Sequence, residues 1–244
     1  MVDVKNWLKI DDHYSTEFGL KMARLPLWPT AAETVENTVI PGTAVEFGRH
    51  TGQYKDFDLT LTGYITHDFD FRKINDWILN GCQLILSPQP QMYGIIRKVG
   101  QIFPERTGTR AAEIQIPFTF QPFKYSCVNI PQVLTTSPAH LHNFGNIYSE
   151  PVYKVSIASG TILAALTING VTFQIAAAAL DTGTIVIDIP RKKIYKEALD
   201  GTCTIIQEYV VGQFWQAVLQ PGDNVISWEA GISQIEVNVN ERWL

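Results

Sequence analysis

The chain has 244 residues and a formal net charge of −5, with 45% hydrophobic and 18% charged residues. This composition is typical of a folded domain and excludes disordered and collagen-like chains. No apolar stretch reaches the roughly 18 residues that a membrane-spanning helix needs, and the N-terminus lacks the basic start and apolar stretch of a signal peptide. We therefore expect a protein that folds in the cytosol and has no membrane partner.

The first part of the chain predicts strands separated by a long connection. Residues 18–27 predict an early strand, and residues 30–56 predict a long polar loop with a turn at Pro41-Gly42. Apolar and polar residues then alternate over 54–64. This period of two is that of a strand with one buried face.

A single segment of this part has helical periodicity. Phe71, Ile74 and Trp77 follow the spacing of one helix face within residues 70–80. Asp68 or Asp70 is expected to cap the start of the helix, and Gly81 is expected to end it in the left-handed conformation. Strand periodicity resumes in three later segments: Gln83 to Leu86, 93–99 and 112–120.

The second part of the chain predicts only strands. Asn169-Gly170 suits a two-residue hairpin turn, because both central positions of that turn need a positive φ. Short strands at regular spacing with turns between them indicate an antiparallel β-sandwich. The predicted strands are 152–158, 161–168, 171–180, 184–189, 193–197, 202–209, 225–228 and 233–240.

The stretch between the two parts is rich in proline, asparagine and glycine, and no periodic segment crosses it. We place one domain at residues 1–130, a linker at 131–142 and a second domain at 143–244. The pattern of the last strand, 233–240, leaves open whether it returns to the first domain.

Motifs for nucleotide binding and hydrolysis are absent from the sequence. His140 and His142 share one strand face but have no third ligand nearby, so no metal site is predicted. Arg191-Lys192-Lys193 is the only basic cluster, which is too small for a nucleic-acid-binding face. The three cysteines Cys82, Cys127 and Cys203 are odd in number and far apart, so we expect three semi-buried thiols and no disulfide framework. No cofactor is predicted.

Asp181-Thr182-Gly183 matches the active-site tripeptide of aspartic proteases. Those enzymes need two such aspartates close together, so this chain would have to act as a homodimer. The alternative is a hairpin turn, in which Asp accepts turn hydrogen bonds and Gly adopts a positive φ. We favour the turn and predict no catalytic residue.

A β-sandwich with exposed tryptophans suits sugar binding, which makes a carbohydrate-binding module for cell-wall glycans a second alternative. Trp215 and Trp228 are the candidate platforms. Both have apolar neighbours in the sequence, which favours packing in the core.

Several segments, in this order and spacing, resemble the distal tail proteins (Dit) of long-tailed, non-contractile bacteriophages that infect Gram-positive hosts. The segments are 41–42 (PG), 48–56 (GRHTGQYKD), 71–78 (FRKINDWI) with Gly81, 143–151 (NFGNIYSEP), 167–170 (TING) and 219–228 (LQPGDNVISW).

This resemblance implies a mainly β fold in which a tail-tube-like split β-barrel with one α-helix precedes a galectin-like antiparallel β-sandwich. It implies a structural virion protein without catalysis, in which the first domain forms a hexameric ring at the end of the tail tube and DNA passes through the ring. The implied partners are the tail tube protein, the tail-associated or tail-tip protein, and baseplate or receptor-binding proteins. The chain has no room for an inserted carbohydrate module, which favours a plain hub over direct adhesion.

The long connection at 30–56 is the best candidate for the ring contact, because connections of this length are usually functional. It contains apolar residues that would be unfavourable in solvent but useful against a neighbouring subunit. The candidate interface residues are Val39, Ile40, Val45, Phe47, Arg49 and Tyr54.

Overall fold

The computed structural model describes residues 6–39, 41–42, 45–66, 70–106, 111–158, 160–176, 184–198 and 200–244. The chain divides into two compact units, one of residues 1–127 together with Leu244 and one of residues 128–243. Both units are built mainly from antiparallel strands, which confirms the predicted fold class. In the described part of the chain, no helix has the length and apolar character needed to cross a membrane.

The described residues of the first unit form ten strands, an α-helix and a short 3-10 turn at Ser15–Phe18. The strands and helix are β1 (Leu8–Ile10), β2 (His13–Tyr14), β3 (Leu20–Arg24), β4 (Glu33–Thr38), β5 (Phe47–Tyr54), β6 (Phe57–Thr66), α1 (Phe71–Asn80), β7 (Gln83–Leu86), β8 (Met92–Val99), β9 (Phe103–Arg106) and β10 (Ala111–Ser126).

The main sheet of the first unit has the order β2-β1-β7-β8-β10-β6-β3, and β9 pairs with β10. Strand β10 is central because it pairs with both β6 and β8. Its alternating apolar residues lie on the buried face, as predicted, together with those of β1 and β7. The core contains Leu8, Ile10, Leu61, Ile65, Leu84, Leu86, Ile114, Ile116, Phe118 and Phe120.

Helix α1 covers one side of this core. The Asp70 carboxylate accepts a hydrogen bond from the backbone N–H of Arg72, so Asp70 is the N-cap, and Ile74 and Ile78 are buried. The expected left-handed end of the helix is wrong, because Gly81 has an extended backbone with φ −73° and ψ 139°. Glycine is required there for another reason: a Cβ at this position would collide with the side chain of Ile10.

The structure corrects two of the sequence-based predictions for the first unit. The early strand predicted at 18–27 is shorter, since a 3-10 turn precedes β3 and the chain leaves the sheet after Arg24. The long loop predicted at 30–56 is instead the hairpin of β4 and β5. Neither hairpin strand alternates between a buried apolar face and an exposed polar face, so both lack the pattern from which a strand is predicted.

The described residues of the second unit form twelve strands and two short 3-10 turns, at Gln207–Tyr209 and Phe214–Gln216. The strands are β11 (Gln132–Leu134), β12 (Ala139–Asn143), β13 (Val152–Ile157), β14 (Ala164–Ile168), β15 (Val171–Ile175), β16 (Thr184–Asp188), β17 (Lys193–Glu197), β18 (Cys203–Ile205), β19 (Val210–Val211), β20 (Gly222–Trp228), β21 (Ile232–Asn238) and β22 (Arg242–Trp243).

Two antiparallel sheets enclose the core of the second unit, with orders β11-β21-β13-β16-β17-β18 and β12-β20-β14-β15-β19. The segment predicted as a linker, 131–142, contributes β11 and most of β12 to these sheets. Apolar alternation in β11 and β12 is too short to predict strands from sequence. The last predicted strand becomes β21, which pairs with β11 and β13 and therefore belongs to the second unit.

A buried asparagine joins two turns of this sandwich. Asn224 is fully buried; its Oδ1 accepts from the Gln220 N–H at 2.7 Å and from Asn169 Nδ2 at 2.6 Å, and its Nδ2 donates to the carbonyls of Gln220 and Gly222. Asn169 and Gly170 both have positive φ, which confirms the predicted hairpin turn. The asparagine of the 219–228 segment thus links that segment to the 167–170 segment.

Replacing Asn224 with alanine should lower the free energy of unfolding by about 2–4 kcal/mol, because several buried donors and acceptors lose their partners. The control is Gln174→Ala on the exposed face of β15, which should change stability by less than about 0.5 kcal/mol. Urea denaturation measures both. Equal stability of the two variants would contradict this role.

Candidate functional site

The predicted interface residues lie on a separate two-stranded sheet, which we call the arm (residues 33–54). Strand β4 pairs with β5 and with no other strand of the described chain. Nearly all residues of the arm strands are exposed or half-buried. The arm therefore contributes little to the core of the first unit.

Large apolar side chains of the arm are exposed to solvent. The exposed fraction is 68% for Val39, 73% for Val45 and 61% for Phe47. Val35 opposes His50 and Phe47 opposes Thr38 in the register, so Val35 and Phe47 lie on opposite faces of the arm. Both faces thus present apolar surface that the unit itself does not cover.

Polar contacts connect the two strands where the arm leaves the main body. The Glu33 carboxylate is 2.9 Å from His50 Nδ1 and accepts the N–H of Gly52, and Thr51 Oγ1 donates to the carbonyl of Thr34 at 2.8 Å. The hydrogen bond with His50 is the main cause that lowers the pKa of Glu33 below its ordinary value. These contacts define the register near the base of the arm.

The segment that leads into the arm is held in the core by Trp28. Its ring is 8% exposed and makes edge-to-face contacts with Phe120 and Phe57, at centroid distances of 5.1 and 6.4 Å. The ring also lies over Gly94, where a Cβ would come within 2.7 Å of a ring atom. The backbone N–H of Trp28 donates to Gln89 Oε1 at 2.8 Å. Packing therefore determines where the chain leaves the core.

A buried lysine holds the next residue of the same segment. Lys124 on β10 is 2% exposed, and its Nζ donates to the carbonyl of Pro29 at 2.9 Å and lies 5.9 Å from the centroid of the Phe57 ring. Burial lowers the pKa of Lys124 from 10.5 to about 8. The amine is thus the polar contact between the central strand and the entry to the arm.

The C-terminal end of the arm is held against β10, the strand that also carries Lys124. Tyr54, the last residue of β5, makes an edge-to-face contact with Phe123 on β10 at 5.6 Å. The N–H of Lys55 donates to the carbonyl of Ala32 at 2.9 Å, which closes the base of the hairpin. We call Trp28, Tyr54 and Lys124 the arm anchor.

The structure places five of the six candidate interface residues on the arm. Val39, Val45, Phe47 and Arg49 are exposed, and Tyr54 belongs to the anchor. Ile40 lies outside the described residues. The sequence analysis did not identify Trp28 or Lys124 as site residues. One signal was present: a lysine interrupts the largely apolar segment that forms β10, and the alternation of a half-buried strand does not account for it.

The other candidate residues do not assemble into a chemical site. Asp181, Thr182 and Gly183 lie outside the described residues. His140 and His142 are exposed on β12, and His142 Nδ1 is 2.6 Å from the Asp223 carboxylate. Among the described side chains, no group of three His, Cys, Asp or Glu residues is arranged to hold a metal ion.

The cysteines are exposed, so the expected semi-buried environment is wrong. Cys82, Cys127 and Cys203 form no disulfide. Each lies at a strand end or edge rather than on a face that packs against the core.

The two candidate tryptophans differ. Trp228 packs against the sandwich core, and its Nε1 donates to the carbonyl of Ile232 at 3.1 Å. Trp215 is 43% exposed and packs edge-on against the buried Phe214. Only Trp215 therefore departs from the expected core role.

The fold and the arm together define a class of β-rich, two-unit proteins with a two-stranded extension on the first unit. Among solved structures, the chain is similar to the crystal structure of the phage SPP1 Dit protein, which is described as a paradigm of the hub adsorption apparatus in phages that infect Gram-positive bacteria. The TM-score is 0.70 at 14% sequence identity, and the match covers 98% of this chain and 99% of that chain.

This likeness confirms, at the level of the fold, the resemblance to distal tail proteins that the sequence predicted. It also confirms the predicted fold class, in which a split β-barrel with one helix precedes a β-sandwich. No family model matches the sequence. No curated protein matches it.

Because the arm anchor contains the buried amine of Lys124, we expect the free energy of unfolding to increase with pH in the alkaline range. Between about pH 8 and pH 10.5 the unfolded chain keeps a proton on Lys124 that the folded chain has lost, so stability rises with pH. Relative to Lys124→Met, the wild type should gain about 3 kcal/mol of unfolding free energy over this range. Denaturation at a series of pH values measures the difference.

The control variant is Lys98→Met on β8, whose side chain is exposed. Its stability should stay parallel to that of the wild type across the same range. Parallel curves for Lys124→Met as well would show that the amine of Lys124 is solvated in the folded protein.

Proposed function

We propose that this chain is a distal tail hub protein of a bacteriophage with a long, non-contractile tail. The observation that carries the proposal is the arm: a separate two-stranded sheet with exposed apolar side chains on both faces, attached to a fold like that of a phage hub protein. A hub acts by binding other proteins, so this function needs no catalytic residue.

The arm needs a partner for physical reasons. An isolated two-stranded hairpin is marginally stable in water, and burial of a large apolar side chain contributes about 1.5–3 kcal/mol. Val39 and Phe47 keep 68% and 61% of their surface exposed within their own unit, so most of this contribution is still to be gained. Packing of the arm on the adjacent subunit supplies both the burial and the ordering of the hairpin.

A contact between the arm of one subunit and the body of the next is heterologous, and such contacts form a ring when the rotation between subunits closes on itself. We propose that six subunits close the ring, that the first unit forms it, and that DNA passes through it. The sandwich of the second unit carries the docking surfaces for tail-tip, baseplate or receptor-binding proteins, and one face of the ring meets the tail tube. The protein is then a component of the virion tail.

The substitution Phe47→Glu should weaken ring assembly by at least about tenfold, because it introduces a charge into an apolar contact. The matched control is Ile162→Glu, which changes an apolar residue of the second unit that is 75% exposed, against 61% for Phe47. Light scattering coupled to size exclusion, at several protein concentrations, measures the assembly state of both variants and of the wild type.

The wild type and Ile162→Glu should form hexamers, alone or on addition of the tail tube protein, with six-fold rings visible by electron microscopy. A wild-type chain that stays monomeric under all these conditions would contradict the hub. Rings formed equally well by Phe47→Glu would show that the arm is not the contact.

A further inference from the structure

A cleft on the sandwich of the second unit is lined by large apolar side chains that remain exposed. Its volume is about 210 Å³, and Val128, Ile130, Phe144, Val239 and Glu241 belong to its lining. The exposed fraction is 65% for Val128, 73% for Ile130 and 68% for Phe144, whereas Val239 belongs to the core. Exposed apolar residues that gather around one cleft indicate an interaction site, unlike those scattered singly over a surface.

The turn that carries Phe144 has a fixed geometry. The side chain of the buried Asn143 accepts the N–H of Gly145 at 3.0 Å and donates to two backbone carbonyls at 3.2 Å each. A Cβ at Gly145 would collide with the carbonyl oxygen of Arg242, so the turn packs closely on the end of the chain. The Phe144 ring contacts the His142 ring at a centroid distance of 4.5 Å. The turn therefore presents Phe144 to solvent in a defined position.

A second wall of the cleft is held by two asparagines. Asn129 Nδ2 donates to Asn240 Oδ1 at 2.7 Å, and Asn240 Nδ2 donates to the carbonyl of Glu150 at 2.9 Å. These hydrogen bonds connect the segment of Val128 and Ile130 to the chain that follows β21. A cleft whose walls are already in place binds a partner at a lower entropic cost than a mobile surface does.

The size of the cleft favours a protein side chain over a small molecule as the occupant. Small-molecule sites usually have volumes of about 300–1,000 Å³. Protein interfaces instead concentrate their binding energy in a few bulky anchors that fill pockets of the partner. A cleft of about 210 Å³ is thus suited to one large apolar side chain of another protein.

The sequence around the cleft is acidic. Residues 128–152 and 229–241, which supply its lining, contain four glutamates and no lysine or arginine. Glu241 lies at the cleft itself. Glu236 opposes the exposed Val133 in the register of β21 and β11, so both side chains lie on the same face. A partner that binds here is favoured by positive charge beside its apolar anchor.

The basic groups near these segments are already engaged. Lys154, the first basic residue after 152, lies 3.6 Å from the carboxylate of Glu197. Arg242, which follows Glu241, is buried and lies 3.4 Å from the carboxylate of Glu150. These contacts leave the carboxylates at the cleft without a neutralising neighbour from either cation.

We propose that this cleft docks another protein of the tail through a large apolar side chain flanked by lysine or arginine. Val128, Ile130 and Phe144 contact the apolar anchor, and Glu236 and Glu241 attract its basic neighbours. The proposal rests on the proposed function, since it names the chemistry by which the sandwich of a hub recognises its partner. A symmetric contact with a second copy is disfavoured, because it brings two acidic surfaces together.

Short synthetic peptides with blocked ends test this chemistry on the full-length chain. The probe is KKWKK, which combines an apolar anchor with positive charge. The control peptides are KKAKK, which lacks the anchor, and EEWEE, which reverses the charge. Titration calorimetry should show that KKWKK binds at least about tenfold tighter than either control. Its affinity should fall as the ionic strength increases, because salt screens the attraction to the glutamates.

Variants of the chain test whether the cleft is the binding site. Phe144→Ala should weaken KKWKK binding at least about fivefold, because the exposed ring is part of the cleft. The matched control is Ile162→Ala, which changes an exposed apolar residue that does not line the cleft and should leave the affinity unchanged. Glu241→Gln should reduce the preference for KKWKK over EEWEE.

The same titration separates this proposal from the ring. Phe47→Glu changes the arm of the first unit and should leave KKWKK binding unchanged. If the wild type binds KKWKK but never assembles into rings, the hub proposal fails while the chemistry of the cleft stands. If rings form but KKWKK binds no better than the control peptides, only the cleft proposal fails.

Equal affinities for KKWKK and KKAKK would overturn the proposal, as would equal affinities for KKWKK and EEWEE. Binding that Phe144→Ala does not weaken would place the peptide elsewhere and also overturn it. The absence of any binding at millimolar peptide has the same consequence. Self-association of the wild type that Phe144→Ala abolishes would assign the cleft to a second copy of the chain instead.

Discussion

The first unit depends on one constraint: a two-stranded sheet that buries almost none of its own side chains must be held at its base. Trp28 provides this hold because its ring fills the space over Gly94 and between two phenylalanines of the core. Tyr54 holds the other end against β10. The arm is thus positioned by the core, and its surface remains available for another molecule.

Lys124 shows that this positioning has a cost in stability. A buried cation that no carboxylate of the described residues pairs with is unfavourable in the folded chain. Its amine nevertheless satisfies the Pro29 carbonyl at the point where the chain leaves the sheet. An apolar residue at this position would pack well but would leave that carbonyl without its donor. The lysine therefore specifies the exit direction of the arm rather than the overall stability of the core.

The second unit follows a different principle, because its two sheets bury their apolar faces against each other. Asn224 and Asn169 then connect the turns by hydrogen bonds that no apolar residue replaces. These hydrogen bonds give a physical reason for the asparagines in segments 167–170 and 219–228, two of the segments that resemble distal tail proteins. A fold can be shared at 14% identity because the pattern of burial, rather than the identity of each residue, defines it.

The sequence by itself determined the elements whose pattern is local. Alternation in β6, β10 and β16 predicted strands with one buried face, the spacing of Ile74 and Ile78 with Asp70 predicted α1, and Asn169-Gly170 predicted a hairpin turn. In each case the residues that decide the structure are neighbours along the chain. The order of the two domains also followed from these patterns and from the resemblance.

Only the tertiary structure decided the features that join distant parts of the chain. Neither arm strand has a buried face with alternating apolar residues, so their pairing leaves no periodic signal. Lys124 meets Pro29 across 95 residues of sequence, and Gly81 is needed because Ile10 lies against it. The strands in 131–142 exist because β21 and β20 offer them partners. Contacts of this kind depend on which strands become neighbours, and that is established only when the whole chain folds.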